Sequence, residues 1–249
     1  MVQPGPDTVL EGTEYQGKCS GYDPRATTLL GFTQTHLSGT GCPDLGDVRL
    51  LPFVGAASRD LKSAYRKETE KASPGWYAVT LDDFKVAAEV AVTARAAQYR
   101  FTYGGDGKAR LLVDCAYGIA NLPPANWGRV TNLSSRVELG TDRQSLSGLL
   151  RRRCWVERTV GFHLVFDRPW AAVEELLRTP GEVAPTYALT FDLPKGGTLG
   201  VKVGLSATSA AAAKANLESE MPGWDFGGVR EKARGKWQDL LARLTVGEE

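Results

Sequence analysis

Hydrophobic and polar positions alternate in short runs along most of the chain, and turn residues separate the runs. Residues 76–81 (Trp-Tyr-Ala-Val-Thr-Leu) form the clearest, rich in aromatic and β-branched side chains. In residues 86–94, Val86, Ala88, Val90 and Val92 alternate with Ala87, Glu89, Ala91 and Thr93. That period of two is the signature of a half-buried strand. Residues 99–103 and 110–115 read as two more strands, joined as a hairpin around Gly104-Gly105-Asp106-Gly107. The series continues at 136–139, 145–153, 159–167, 187–193 and 198–205, with Lys195-Gly196-Gly197 turning between the last two. The pattern predicts a mainly β fold, an antiparallel β-sandwich. Residues 170–177 are ambiguous, since their spacing also fits two helical turns.

From Ala210 the period changes. An alanine run with strong helix propensity starts there, Ser209 can cap it, and Pro222-Gly223 ends it. A second helix follows, with Phe226, Val229, Ala233, Trp237, Leu240, Leu241 and Leu244 on one face. That stripe must dock on the sheet or on something beyond the chain.

Composition excludes more than it assigns. With 249 residues, 42% of them hydrophobic, the chain can bury a substantial core. Thirty basic residues against 29 acidic ones leave no field that would attract nucleic acid or an anionic membrane. Arg151-Arg152-Arg153 is the one basic run, and within a strand it reads as a solvated face or a set of carboxylate partners. No apolar run reaches the roughly 18 residues of a membrane span, and the N-terminus lacks the pattern of a signal peptide. Cys19, Cys42, Cys115 and Cys154 are too scattered for a zinc site, and Cys115 and Cys154 fall in apolar strand patterns that suit buried thiols.

The densest chemistry lies in residues 35–44, Thr-His-Leu-Ser-Gly-Thr-Gly-Cys-Pro-Asp, just before a strand beginning near Asp47. An imidazole, three hydroxyls, a thiol and a carboxylate surround two glycines and a proline, placing a polar loop at a sheet edge. Such donors and acceptors suit a polyhydroxylated ligand. The candidate ligand-binding residues are His36, Ser38, Gly39, Thr40, Gly41, Cys42 and Asp44. Gly39-Thr40-Gly41-Cys42 lacks the lysine and following helix of a phosphate loop. Asp44 with Asp47, Glu68 with Glu70, and Asp82 with Asp83 read as solvated carboxylates. Two acidic residues without regular ligand spacing do not make a calcium loop. His163, inside an apolar run, reads as a structural strand residue.

The loop resembles the one that marks the N-terminal domain of glycoside hydrolase family 92, calcium-dependent exo-acting α-mannosidases. Further blocks agree in order: Met1-Val2-Gln3-Pro4 with Pro6-Asp7-Thr8, then Glu68-Thr69-Glu70-Lys71-Ala72-Ser73-Pro74-Gly75-Trp76-Tyr77, then Ser147-Gly148 through Trp155. Asn216-Leu217-Glu218 with Pro222-Gly223-Trp224-Asp225-Phe226 and Trp237 completes the set. Gln34, Arg66 and Tyr99 depart from it, standing where the family often has histidines.

The resemblance implies a supersandwich of the galactose-mutarotase kind over residues 1–208 and a helical linker over 209–249. The linker would lead to an absent (α/α)6 barrel, so the chain would be truncated at both ends. It implies the non-catalytic part of an inverting exo-α-mannosidase, acting on α-1,2-linked mannosides of N-glycans or mannan. Inverting hydrolysis needs two carboxyl groups about 6.5–9.5 Å apart, and the resemblance places both in the barrel, so no catalytic residue is assigned here. Calcium and its ligands would belong to the barrel as well, and the parent would be secreted or periplasmic. The implied partners are an α-mannoside glycan and the chain's own C-terminal domain, with no nucleic acid or membrane. The alternative is a freestanding carbohydrate-binding or structural sandwich, or an unrelated mutarotase-like one.

Overall fold

The computed structural model describes residues 2–10, 20–37, 43–121, 129–178 and 180–243. In chain order the first strands are β1 (Gly5–Val9), β2 (Thr28–Thr33), β3 (Arg49–Phe53), β4 (Ser63–Ala64) and β5 (Lys71–Ser73). Next come β6 (Trp76–Leu81), β7 (Val86–Val92), β8 (Ala96–Tyr103), β9 (Ala109–Asp114) and β10 (Thr131–Leu139). The last are β11 (Ser145–Arg153), β12 (Glu157–Phe166), β13 (Ala172–Glu175), β14 (Thr186–Phe191) and β15 (Thr198–Ser206). Two helices close the chain, α1 (Ala210–Glu220) and α2 (Phe226–Leu241).

The strands form two antiparallel sheets. One has the order β1-β2-β3-β9-β14-β13, with β4 beside β2; the other runs β10-β11-β12-β15-β8-β7-β6-β5. Alternate side chains of both sheets fill the space between them. Phe32 from the first sheet lies 6.0 Å from Tyr99 of the second, and Tyr99 stacks on Phe101 at 5.5 Å. Each such ring, removed from water, contributes about 1.5–3 kcal/mol.

The expected hairpin at residues 99–115 does not form. β8 pairs with β7 and β15, whereas β9 pairs with β3 and β14, so Gly104–Gly107 carries the chain from one sheet to the other. Lys195-Gly196-Gly197 makes the same crossing, from β14 to β15. A turn of four residues can span the roughly 10 Å between packed sheets. The ambiguous segment 170–177 holds β13, an exposed edge strand paired with β14. Glu174 and Glu175 bind Arg110 and Arg178 there, and charges of this kind discourage a further strand from adding.

α1 lies on the outer face of the second sheet, capped by Ser209 Oγ, which accepts from Ala212 N at 3.0 Å. Its approach depends on two strand glycines: a Cβ on Gly161 would stand 2.3 Å from Ser209 O, and one on Gly204 2.3 Å from Ala213 O. α2 divides its apolar stripe. Phe226, Val229 and Ala233 are buried, the first two packing with Leu217, Met221, Ala91 and Ala96, while Trp237, Leu240 and Leu241 remain about half exposed. Replacing Leu240 and Leu241 together by lysine is therefore expected to cut binding of a hydrophobic dye while shifting stability by only about 0.5 kcal/mol. Val229→Lys, which buries a charge under the helix, should lower the melting temperature sharply. Equal dye binding by the wild type and the double variant would contradict this reading of the stripe.

Candidate functional site: a loop tied to both sheets

Residues 34–48 join neighbouring strands β2 and β3 at one end of the first sheet. The segment after β9 and the turn between β11 and β12 reach the same end. Two aspartates of the connection, expected in solvent, are instead buried and ion-paired across the sandwich. Asp47 Oδ1 accepts from Arg152 Nη1, and from Arg158 Nη2 at 3.1 Å. Its Oδ2 accepts from the Thr35 hydroxyl at 2.7 Å. Asp44 Oδ1 accepts from Arg158 Nη1 at 2.8 Å and from Leu45 N at 2.6 Å, and Oδ2 from Trp155 N at 3.3 Å. Burial pushes the Asp47 carboxyl up, yet Arg152, Arg158 and the Thr35 hydroxyl outweigh it, leaving its pKa below the ordinary value. Arg152 also donates to the carbonyls of Ala116 and Tyr117, so one fully buried guanidinium holds three segments together.

Backbone strain marks the same stretch. Leu45 has φ 69° and Val48 φ 53°. A β-branched residue rarely adopts that region and does so only where its surroundings fix it. Val48 is fully buried, consistent with such fixing.

His36 ties the loop to the N-terminal segment. Its Nδ1 lies 2.6 Å from Gln3 O and its Nε2 2.9 Å from Asp7 Oδ1, with Thr33 Oγ1 at 3.1 Å. A carbonyl can only accept, so Nδ1 carries a proton, and an Asp7 carboxylate beside Nε2 favours a second proton there, the imidazolium form. Burial opposes that charge, but the Asp7 carboxylate, the Gln3 carbonyl and the more distant Asp47 together raise the pKa above its usual value. Tyr117 has its own pKa pushed well up, first by burial and then by the Asp7 charge. Such a raised histidine contributes stability in full below the unfolded-state pKa of about 6.5 and loses it as pH rises through the folded-state pKa. Urea midpoints measured from about pH 5 to about pH 9 should therefore fall more steeply on the alkaline side for the wild type than for His36→Gln. Parallel profiles would show that the ring is not charged in the folded protein.

Of the residues expected to bind a ligand, His36 and Asp44 are thus placed at this end of the sandwich. Ser38, Gly39, Thr40, Gly41 and Cys42 lie outside the described residues, as does Cys19. Cys115 is buried as expected, but Cys154 sits in the turn after β11, partly exposed. His163, on β12, bonds Ser147 Oγ through Nδ1 at 2.7 Å. Within the basic run, Arg151 and Arg153 pair with Glu157 on the exposed side while Arg152 turns inward. Two positions that depart from the family pattern meet in the core, the Tyr99 hydroxyl donating to Gln34 Oε1 at 3.0 Å. Among the described residues there is no cluster of three histidine, cysteine or carboxylate side chains, and the Asp44 and Asp47 oxygens already accept from arginines, Thr35, Leu45 and Trp155.

Sequence reasoning missed Asp7, Arg152, Arg158 and the exposed Trp155, whose Nε1 donates to Pro43 O at 3.2 Å. Arg152 carried a readable signal, because it falls in phase with the inward-facing Leu146 and Leu150 of β11. Its partner, 105 residues upstream, carried none.

Comparison with known proteins agrees with this architecture. Residues 1–206 match the Glycosyl hydrolase family 92 N-terminal domain. No curated protein matches the chain. Among solved structures, the family GH92 α-mannosidase BT3965 of Bacteroides thetaiotaomicron, in complex with mannoimidazole, superposes with a TM-score of 0.84 at 27% identity, covering 100% of this chain and 34% of that one. The GH92 inverting mannosidase BT2199 of Bacteroides thetaiotaomicron VPI-5482 is similar in fold, with a TM-score of 0.79, 20% identity and coverage of 99% and 33%. The chain thus spans about a third of the length of these proteins. It belongs to glycosyl hydrolase family 92, and its sandwich is the family's N-terminal domain.

Proposed function

We propose that the chain is the non-catalytic N-terminal part of an exo-acting, inverting α-mannosidase, and that its loop at residues 35–44 lines a sugar pocket at the boundary with a C-terminal (α/α)6 domain. On this reading residues 209–249 are the linker to that domain. The catalytic carboxyl pair and the calcium lie in the same domain, and the substrate is a mannoside of an N-glycan or mannan, α-1,2-linked. His36, Ser38, Gly39, Thr40, Gly41, Cys42 and Asp44 form this chain's share of the pocket, His36 and Asp44 as its anchors. The parent protein is secreted or periplasmic.

The observation that carries the reading is the double anchoring of the loop. Its first flank is held by an imidazolium on Asp7, its second by Asp44 and Asp47 on Arg158 and Arg152. A loop that only connects two adjacent strands does not need four buried charges, whereas one that must hold hydroxyls to sub-ångström tolerance benefits from rigid support. Pockets also favour domain boundaries.

The test has two arms. The 249-residue chain should not hydrolyse an aryl α-mannoside, with or without calcium, and turnover would overturn the non-catalytic assignment. Methyl α-mannopyranoside should shift the backbone amide resonances of Thr35, His36, Leu37 and Leu45 saturably, and unmoved resonances would remove the loop from the pocket. Docking of Phe226, Val229 and Ala233 on the chain's own sheet favours the second reading, a freestanding carbohydrate-binding sandwich. That reading expects a monomer that binds no hydrophobic dye.

A further inference from the structure

On the outer face of the second sheet, away from the loop, a cleft of ≈ 540 Å³ opens between β8, β15 and the start of α2. Gln98, Thr198, Gly200, Asp167, Arg168 and Trp224 line it. Three features set this cleft apart from an incidental groove.

The first is Gly200. It sits in the middle of β15 with no positive φ, so the backbone gives no reason for glycine, which weakens a strand interior. Gly161 and Gly204 are explained by the backbone of α1 and its cap, but Gly200 faces side chains: a Cβ there would lie 3.1 Å from Trp224 Cζ3 and 3.1 Å from Asp167 Oδ2. The missing side chain lets an indole and a carboxylate close against the strand, where even a methyl group would crowd them. The second is Gln98. Its Nε2 donates to Trp224 O at 3.2 Å, while its Oε1, on a residue only 3% exposed, has no partner among the described residues. The bond to the Trp224 carbonyl fixes the backbone that carries the indole. The third is Trp224, an indole that stays 40% exposed although the Lys202 ammonium stands 4.4 Å from its ring centroid.

The charges at the cleft cancel locally. Arg168 pairs with Asp167, Arg100 pairs with Glu89, and Asp225 caps α2. The cleft therefore has no field for a phosphate or an organic acid. It fits a neutral ligand with hydroxyls for Asp167 and Thr198 and an apolar face for an indole. A pyranoside has all of these. We propose that this cleft is a second carbohydrate-binding site, distinct from the loop, that takes one neutral pyranose unit of a glycan. The location stands on the geometry above, and the choice of mannose as first probe rests on the proposed function.

Titration of the 249-residue chain with methyl α-mannopyranoside, followed by amide and indole N–H resonances, tests the proposal. The Trp224 indole signal, assigned with Trp224→Phe, should shift saturably. Gly200→Val, which forces the indole and the Asp167 carboxylate off the strand, should abolish that shift while the spectrum keeps its dispersion. Gln98→Leu serves if Gly200→Val does not fold, and should weaken binding about tenfold or more. A Trp224 signal that does not move, or that moves equally in the folded variants, overturns the second site. Shifts confined to residues 35–45 overturn it as well, yet leave the loop assignment standing. Shifts at Trp224 with none in the loop support it and count against the loop.

Discussion

Replacing Arg152 by leucine should cost about 3–5 kcal/mol of unfolding free energy, the usual penalty for stranding a buried charge. In a chain of this length that corresponds to a fall in melting temperature of about 10 °C. Arg152 and Asp47 are both essentially inaccessible to water, and Arg158 alone would then have to balance Asp47 and Asp44. The carbonyls of Ala116 and Tyr117 would also lose their donor. Arg151→Leu is the control from the same strand. Its guanidinium is well exposed, so its loss should leave the urea midpoint unchanged within error. Adding Asp47→Leu to Arg152→Leu should recover part of the loss, because the stranded carboxylate goes with it. If Arg152→Leu unfolds at the wild-type midpoint, the tie between the sheets does not bear on stability.

Local pattern carried much of this fold. The period of two gave the strands, the alanine run after Ser209 gave α1, and the ordered blocks gave the family. What was not legible depends on distance along the chain. Residues 99–103 and 110–115 read as a hairpin, because both strands present apolar residues to the same core and only partners elsewhere reveal the arch between sheets. Asp44 and Asp47 looked solvated for a similar reason: the arginines that bury them arrive more than 100 residues later. The stripe of α2 was visible in full, yet the sequence could not say where the sheet beneath it ends. The structure places that limit after Ala233.

Gly21→Ala should destabilise the protein by about 3–5 kcal/mol and remove the pH dependence due to His36. Two effects combine at this position. Gly21 has φ +86°, which costs a residue with a Cβ roughly 1–2 kcal/mol. The new Cβ would also fall 2.2 Å from Asp7 Oδ1 and 3.2 Å from His36 Cδ2, so the carboxylate must leave the imidazolium or the backbone must move. Either change breaks the bond that keeps His36 charged. Gly55 separates the two effects, since it has φ +94° and nothing within 4 Å of its Cβ position. Gly55→Ala should therefore carry the backbone cost alone, and the difference between the variants measures the crowding of Asp7, His36 and Ile119 together. The ring resonances of His36 supply an independent reading. In the wild type and Gly55→Ala they should titrate above the ordinary histidine range, and in Gly21→Ala they should return toward about 6.5. Equal losses for the two alanine variants, with His36 titrating alike in both, would show that the contact adds nothing beyond backbone strain.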